Sequence, residues 1–65
     1  MEILKKVREE KNITQKEISS KVGISQQAYS LIEKGINQPS LNVAFKIADF
    51  LDSDVRQLFY TQTDN

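Results

Sequence analysis

The chain has 65 residues, with nine basic and nine acidic side chains, no cysteine and no histidine. This length predicts one small domain, which buries only about 60% of the surface of its unfolded chain and therefore has a marginal core. The missing residue types exclude disulfides and argue against a zinc finger or another transition-metal site. No apolar run approaches the ~20 residues that span a bilayer, so we expect neither a membrane segment nor a secretory signal.

The charges are spread unevenly along the chain. Residues 1–48 carry eight basic and five acidic side chains, a net charge of +3, whereas residues 49–65 carry a net charge of −3. The zero total argues mildly against nucleic-acid binding, which a basic surface usually supports. The modestly basic front keeps that function open, with a small non-specific electrostatic contribution.

The first predicted helix covers residues 2–11. Its apolar residues recur on one face, and the lysines and glutamates lie outside that face. The expected buried stripe consists of Ile3, Leu4 and Val7.

Residues 14–35 predict two short helices joined by a tight turn. Thr14 can cap the first of them, and Glu17 three residues later completes a capping box. Gly23 suits the reversal, because a left-handed residue costs glycine no Cβ clash. Ser25 caps the next helix, which ends at Gly35.

The second helix of this pair divides into two faces. Tyr29 and Ile32 are expected to point inward. The outward side chains are Gln26, Gln27, Ser30, Leu31 and Lys34. A glutamine amide offers an acceptor and two donors, which match the N7 and N6 edge of adenine in the major groove. The alternative is a solvated polar face. A helix–turn–helix unit favours the first interpretation, because it places the first turn of its second helix in the major groove.

A loop, residues 35–40, leads to a fourth predicted helix over 41–51, with Pro39 and Ser40 at its start. Its broad apolar face is expected to form the main wall of the core: Leu41, Ala44, Phe45, Ile47, Ala48 and Leu51. Val43 and Phe50 are expected off that face, either as scattered surface groups or as a dimer contact. Ser53 or Asp54 can cap a short fifth helix, and residues 60–65 are expected to form a frayed or partner-bound tail.

Three stretches resemble helix-turn-helix domains of the phage repressor and Cro type, also called the XRE family. They are VREEKNITQKEISSKVGIS, IEKGINQPSL and KIADFLDSDVRQLF, which together cover most of residues 3–59. The resemblance implies an all-α, compact five-helix, lambda-repressor-like DNA-binding domain over residues 1–60, followed by a short tail, 61–65. Its helix-turn-helix would be formed by the second and third helices. Asp52 stands where the family prefers glycine, so this helix end is expected to be slightly strained.

The same resemblance implies roles for individual residues. Arg8 would pair with Glu33, tying the first helix to the end of the third, unless Arg8 is simply solvated. Gln15, at a helix N-terminus, would clamp a DNA phosphate, or else be solvated in its first turn. Leu31 departs from the basic or aromatic residue that the family often has there, so it either contacts a thymine methyl or covers a neighbouring side chain.

The remaining expected contacts hold the DNA backbone and carry no sequence information. Lys34 suits a phosphate, with a solvated lysine as the alternative, and Asn37 and Gln38 are placed to join backbone N–H groups around another. Ser25 completes this set. Base contacts are assigned to Gln26 and Gln27, then Ser30 and Leu31.

The sequence thus predicts a sequence-specific regulator of transcription that binds double-stranded DNA. It would be a repressor acting as a homodimer on a near-palindromic operator, cytoplasmic and encoded by a bacterium or phage. A protein-interaction module of the same fold, such as the antitoxin of a toxin–antitoxin pair, is the alternative. No catalytic constellation appears, so no enzyme activity, cofactor or small-molecule ligand is expected.

Overall fold

The computed structural model describes residues 2–59, which form five helices and no strand. The helices are α1 (Glu2–Glu10), α2 (Gln15–Val22), α3 (Gln26–Glu33), α4 (Leu41–Phe50) and α5 (Val55–Phe59). The predicted all-α, five-helix architecture is confirmed, with the first and fourth helices each one residue shorter than expected. The predicted tail, 61–65, lies outside the described residues.

Side-chain caps begin the helices where the sequence predicts them. The Glu17 amide donates to Thr14 Oγ1 (3.0 Å) and the Thr14 amide donates to Glu17 Oε1 (2.8 Å), which completes the capping box of α2. The hydroxyls of Ser25 and Ser40 accept from the third residue of α3 and α4. Each cap satisfies an amide that has no partner within its own helix, so these short helices have defined starts.

One motif ends the first four helices. In each, a residue with positive φ directs its amide, and that of the next residue, back to carbonyls of the last turn. The four residues with positive φ are Asn12 (59°), Gly23 (81°), Gly35 (77°) and Asp52 (51°). Two of them are therefore not glycine, and Asp52 holds the left-handed conformation that the sequence predicts to be strained.

The core lies between all five helices. α4 packs against α2 and α5, and α1 packs against α3 and α5. Five large side chains are fully buried there: Leu4, Ile18, Tyr29, Ile47 and Leu51. The inward face predicted for α3 is confirmed, because Tyr29 and Ile32 both belong to this core.

The predicted apolar face of α4 is wrong at its edges. Leu41 is 62% exposed and Phe45 is 47% exposed, whereas Val43 and Phe50 are half-buried and pack against the core. At about 100° per residue, Phe45 and Phe50 lie at similar angles on opposite sides of the buried stripe. Periodicity therefore cannot say which side the neighbouring helices cover.

The N-terminal stripe needs a smaller correction. Leu4 is fully buried, Val7 is half-buried, and Ile3 is 44% exposed. Ile3 lies in the first turn of α1, where it is only partly covered by the rest of the domain.

The left-handed residue after α4 gives a test of helix-end strain. We expect Asp52→Gly to raise the free energy of unfolding by about 1 kcal/mol, because glycine adopts this φ without a Cβ clash. Asp52→Asn should gain about 0.3–1 kcal/mol by removing a negative charge from the negative end of α4. Urea denaturation of the three proteins measures both effects.

The reciprocal control is Gly23→Ala. A Cβ at Gly23 would meet no atom within 4 Å, so only the backbone conformation penalises it. We expect a loss of about 1 kcal/mol. If Gly23→Ala is neutral or Asp52→Gly is destabilising, the left-handed conformation does not control these helix ends.

Candidate nucleic-acid interface

The first turn of α3 presents two adjacent amides to solvent. Gln26 and Gln27 are exposed, and within residues 2–59 neither side chain makes a hydrogen bond. The helix that carries them is held from beneath by Tyr29 and Ile32 and is capped by Ser25. Both amides are therefore free to pair with groups outside the protein while their backbone is fixed.

The other outward residues of α3 are less exposed. Ser30 and Leu31 are both half-buried, one to two turns after the glutamines. The half-burial of Leu31 is compatible with both roles considered for it, a thymine methyl contact and the covering of neighbouring side chains. Their assignment as base contacts stays a prediction.

The residues predicted to hold the DNA backbone fall into two groups. Ser25, Lys34, Asn37 and Gln38 are exposed, at the two ends of α3 and in the loop that follows. Gln15 differs from them because it is half-buried and its Nε2 donates to Glu33 Oε1 at 3.0 Å. One of the two amide hydrogens of the Gln15 side chain is therefore used in a bond within the protein.

A buried polar cluster lies behind α3. Arg8 donates through Nε and Nη2 to the two carboxylate oxygens of Glu33, so the ion pair expected from the resemblance is present. The side chains are only 9% and 4% exposed. Arg8 also donates from Nη1 to the Ile13 carbonyl (2.7 Å), and Tyr29 Oη donates to Glu33 Oε2 (2.7 Å). The cluster thus joins α1, the N-terminus of α2 and α3.

The sequence analysis did not predict that Tyr29 and Gln15 bond to Glu33. Tyr29 and Glu33 are four residues apart in one helix, a spacing that places their side chains on the same face and could have indicated the bond. Gln15 and Glu33 are separated by 18 residues. No local pattern indicates that contact, because it depends on how α2 packs against α3.

The cluster shifts the pKa of its members in consistent directions. Burial alone would raise the pKa of Glu33, but hydrogen bonds from Arg8, Tyr29 and Gln15 and the charge of Arg8 outweigh it and hold the pKa below its ordinary 4.5. Burial, and then donation to the Glu33 carboxylate, raise the pKa of the Tyr29 phenol well above its ordinary value. The hydrogen bond to Glu33 raises the pKa of Arg8. At neutral pH the cluster is therefore a salt bridge with a neutral tyrosine.

This arrangement of a capped helix, a left-handed glycine turn and a second helix with an exposed polar first turn defines a helix-turn-helix domain. The model of the family described as "Helix-turn-helix" matches residues 4–58. The chain belongs to this family, in its Cro/C1 or XRE type, whose members are DNA-binding regulators of transcription.

Similar proteins carry the same designation. An uncharacterised HTH-type transcriptional regulator of Methanocaldococcus jannaschii is 42% identical over 53 residues, which are 82% of this chain and 80% of that protein. Another, from Archaeoglobus fulgidus, is 34% identical over 56 residues, 86% of this chain and 79% of that protein. The uncharacterised regulator YqaE of Bacillus subtilis is 37% identical over 51 residues, but only 44% of its length is matched. Because archaeal proteins are among the relatives, the similarity does not single out a bacterial or phage source.

Other kinds of site find no support in the described part of the chain. Residues 2–59 contain no group of three or more acidic, cysteine or histidine side chains placed to hold a metal ion. None of the five helices has the length and apolar character needed to cross a membrane. The exposed surface of α3 and its following loop is the candidate site because the helix-turn-helix presents it to solvent.

The Glu33 cluster yields a stability test with a matched control. Glu33→Gln should lower the free energy of unfolding by about 3–5 kcal/mol, because it leaves the buried Arg8 guanidinium without its counter-charge. Glu9 lies 4.0 Å from the same guanidinium but is 57% exposed. Glu9→Gln should therefore change stability by less than about 1 kcal/mol. Chemical denaturation at pH 7 measures both.

The pH dependence of the same pair has a defined sign. Since the folded-state pKa of Glu33 is lowered, its stabilising contribution is fully present above the ordinary value of 4.5 and is lost as the pH falls through the folded-state pKa. The difference in stability between the natural protein and Glu33→Gln should be constant from pH 6 to 8 and shrink below about pH 4.5. A difference that stays constant into the acid range would contradict the lowered pKa.

Proposed function

We propose that the chain is a sequence-specific regulator that binds double-stranded DNA with α3 in the major groove. The observation that carries this proposal is the pair of exposed, unbonded amides of Gln26 and Gln27 in the first turn of α3. In a helix-turn-helix, that turn meets the base edges. Each amide can form a bidentate pair with the N7 and N6 groups of an adenine.

The rest of α3 supports this role through rigidity. A bidentate contact needs its amide at a fixed place, and α3 is fixed by the Ser25 cap, by the buried Tyr29 and by the cluster at Glu33. Ser30 and Leu31 would make further base contacts, with Leu31 directed to a thymine methyl.

Backbone contacts would flank the base contacts. Lys34, Asn37 and Gln38 are exposed after α3, and Ser25 is exposed before it, so all four can meet phosphates on either side of the groove. Gln15 lies in the first turn of α2, where free amides favour an anion. Its bond to Glu33 leaves one amide hydrogen of the side chain for a phosphate and fixes its position.

The zero net charge shapes the expected mode of binding. A domain with few excess cations gains little from counterion release, so its non-specific affinity should be low. Useful affinity then comes from two domains acting together. We propose a homodimer on a near-palindromic operator, with the two α3 helices about one turn, or ~34 Å, apart. Occupancy of an operator that overlaps a promoter would repress transcription by blocking polymerase.

An interaction module such as an antitoxin is the second candidate. The neutral charge and the apolar side chains exposed on α4 favour it, because both are typical of a surface that binds protein. The two functions differ in their dependence on salt and on DNA sequence, which the following two experiments measure.

The base-reading assignment predicts a loss of specificity without a loss of fold. After selection of a preferred duplex from a random library, Gln26→Ala and Gln27→Ala should each weaken binding to it by about 10- to 100-fold, with little change for random DNA. Gln57, exposed on α5, supplies the control, and Gln57→Ala should bind like the natural protein. If the two α3 variants keep the full sequence preference, these glutamines do not read bases.

The phosphate assignment predicts a uniform effect on affinity. Lys34→Ala should weaken binding to selected and random duplexes by the same factor and reduce the slope of log K against log salt by about one. Lys5→Ala, on the exposed face of α1, should leave both quantities unchanged. A natural protein whose DNA affinity barely changes between about 50 and 200 mM salt would make few phosphate contacts, and the interaction module would then be favoured.

A further inference from the structure

One glutamine of α3 lies directly opposite the core. The buried side chains of α3 share one side of the helix: Tyr29, Ile32 and Glu33. At about 100° per residue, Gln27 lies roughly 180° from the centre of that side, whereas Gln26 lies at the edge of the exposed face. Gln27 is therefore the side chain that α3 directs most squarely away from the protein.

The residues one turn later flank this amide without covering it. Ser30 and Leu31 follow Gln27 by three and four residues, so their side chains lie on either side of it. Both are half-buried, whereas Gln27 is exposed and makes no hydrogen bond within residues 2–59. The Gln27 amide thus projects beyond its neighbours, with a hydroxyl on one side and an apolar side chain on the other.

An amide in this position uses both of its polar atoms on one adenine. In the bidentate pair, Nε2 donates to adenine N7 and Oε1 accepts a hydrogen from adenine N6. Adenine N6 carries two hydrogens, and one of them is used in the Watson–Crick pair with thymine. Only the other, on the N7 side, is available in the major groove. The contact therefore depends on a single hydrogen atom of the base.

We propose that the domain distinguishes the methylation state of its DNA site, and binds adenine in preference to N6-methyladenine at the position read by Gln27. This inference rests on the proposed function. A methyl group on N6 of a paired adenine points to the N7 side, because the opposite orientation blocks the hydrogen bond to thymine. It replaces the hydrogen that Oε1 accepts and stands in front of N7. Both bonds of the bidentate pair are then lost.

The protein cannot make room for this methyl group by shifting α3. The Ala28 amide donates to Ser25 Oγ at 3.0 Å, which fixes the first turn. At the other end, the fully buried Tyr29 donates to the buried carboxylate of Glu33. Rotation of the Gln27 side chain alone would leave its amide without a partner on the base, which costs the contact as well.

The apolar neighbour does not compensate for the lost bonds. Leu31 lies beside Gln27 and offers the methyl group an apolar contact. Burying one such group is worth about fourfold in affinity. A bidentate amide–adenine pair is worth about 10- to 100-fold. The balance therefore favours the unmodified base.

The charge of the domain turns this preference into release from DNA. Phosphate contacts are the same on methylated and unmodified duplexes, so a strongly basic domain would stay bound after losing one base contact. Here the net charge is zero, and little non-specific affinity remains. Methylation of the operator by an adenine-N6 methyltransferase is then a switch that needs no ligand on the protein.

The experiment replaces the adenines of the selected duplex by N6-methyladenine, one position at a time and in every half-site, and measures affinity by fluorescence anisotropy. We expect one position at which the natural protein binds about 10- to 100-fold more weakly. At that position 7-deazaadenine, in which a carbon replaces N7, should also weaken binding, but by less, because it keeps the N6 bond. Gln27→Ala should bind the methylated and unmodified duplexes equally, and Gln26→Ala should keep the full discrimination.

The controls are methylated adenines that flank the site and Gln57→Ala on α5, which should behave like the unmodified duplex and the natural protein. Circular dichroism verifies folding, and the 7-deazaadenine measurement needs no variant. Three results would each overturn the inference alone: equal binding of methylated and unmodified duplexes, discrimination that survives Gln27→Ala, and no effect of 7-deazaadenine at the methyl-sensitive position. A preferred site without adenine would do the same. If no duplex is preferred over random DNA, the proposed function itself fails, and the inference with it.

Discussion

The orientation of α3 depends on one buried carboxylate. Glu33 accepts hydrogen bonds from Arg8 on α1, Gln15 on α2 and Tyr29 on α3, so three helices meet at a single charged group. Burial of an ion pair contributes little net stability, since desolvation offsets most of the attraction. The cluster instead makes every arrangement unfavourable in which Glu33 is separated from the side chains that donate to it. A small apolar core would tolerate some sliding of α3, whereas this cluster fixes its last turn.

The short helices are possible because both of their ends are satisfied. Helices of eight to ten residues are marginal by themselves, and a domain of this size has little core with which to stabilise them. Side-chain caps satisfy the first amides of α2, α3 and α4, and left-handed residues satisfy the last carbonyls of α1 to α4. Three of the helices, α2, α3 and α4, therefore carry both a start and a stop signal, which makes the turn before α3 as well defined as the helix itself.

The sequence predicted the features that depend only on neighbouring residues, which are the helix caps and the left-handed turn. Thr14, Gly23 and Ser25 mark the helix-turn-helix because capping and positive φ depend only on neighbouring residues. The Arg8–Glu33 pair, 25 residues apart, came from family resemblance and not from any local pattern. The exposure of Leu41 and Phe45 could not be predicted, because it depends on which side of α4 the neighbouring helices cover. The bond between Gln15 and Glu33 was missed for the same reason.

The buried cluster that holds α3 in place matters more for a domain without net charge than for a basic one. A strongly basic domain gains affinity from any duplex and then needs only modest discrimination among sites. Here the net charge is zero, so under the proposed function little affinity would come from phosphate attraction and more would come from correctly placed base contacts. Such contacts lose most of their value if the helix that carries Gln26 and Gln27 can shift, because a bidentate amide pair tolerates little displacement. The buried cluster at one end of α3 and the serine cap at the other therefore supply the rigidity that the proposed base contacts would need.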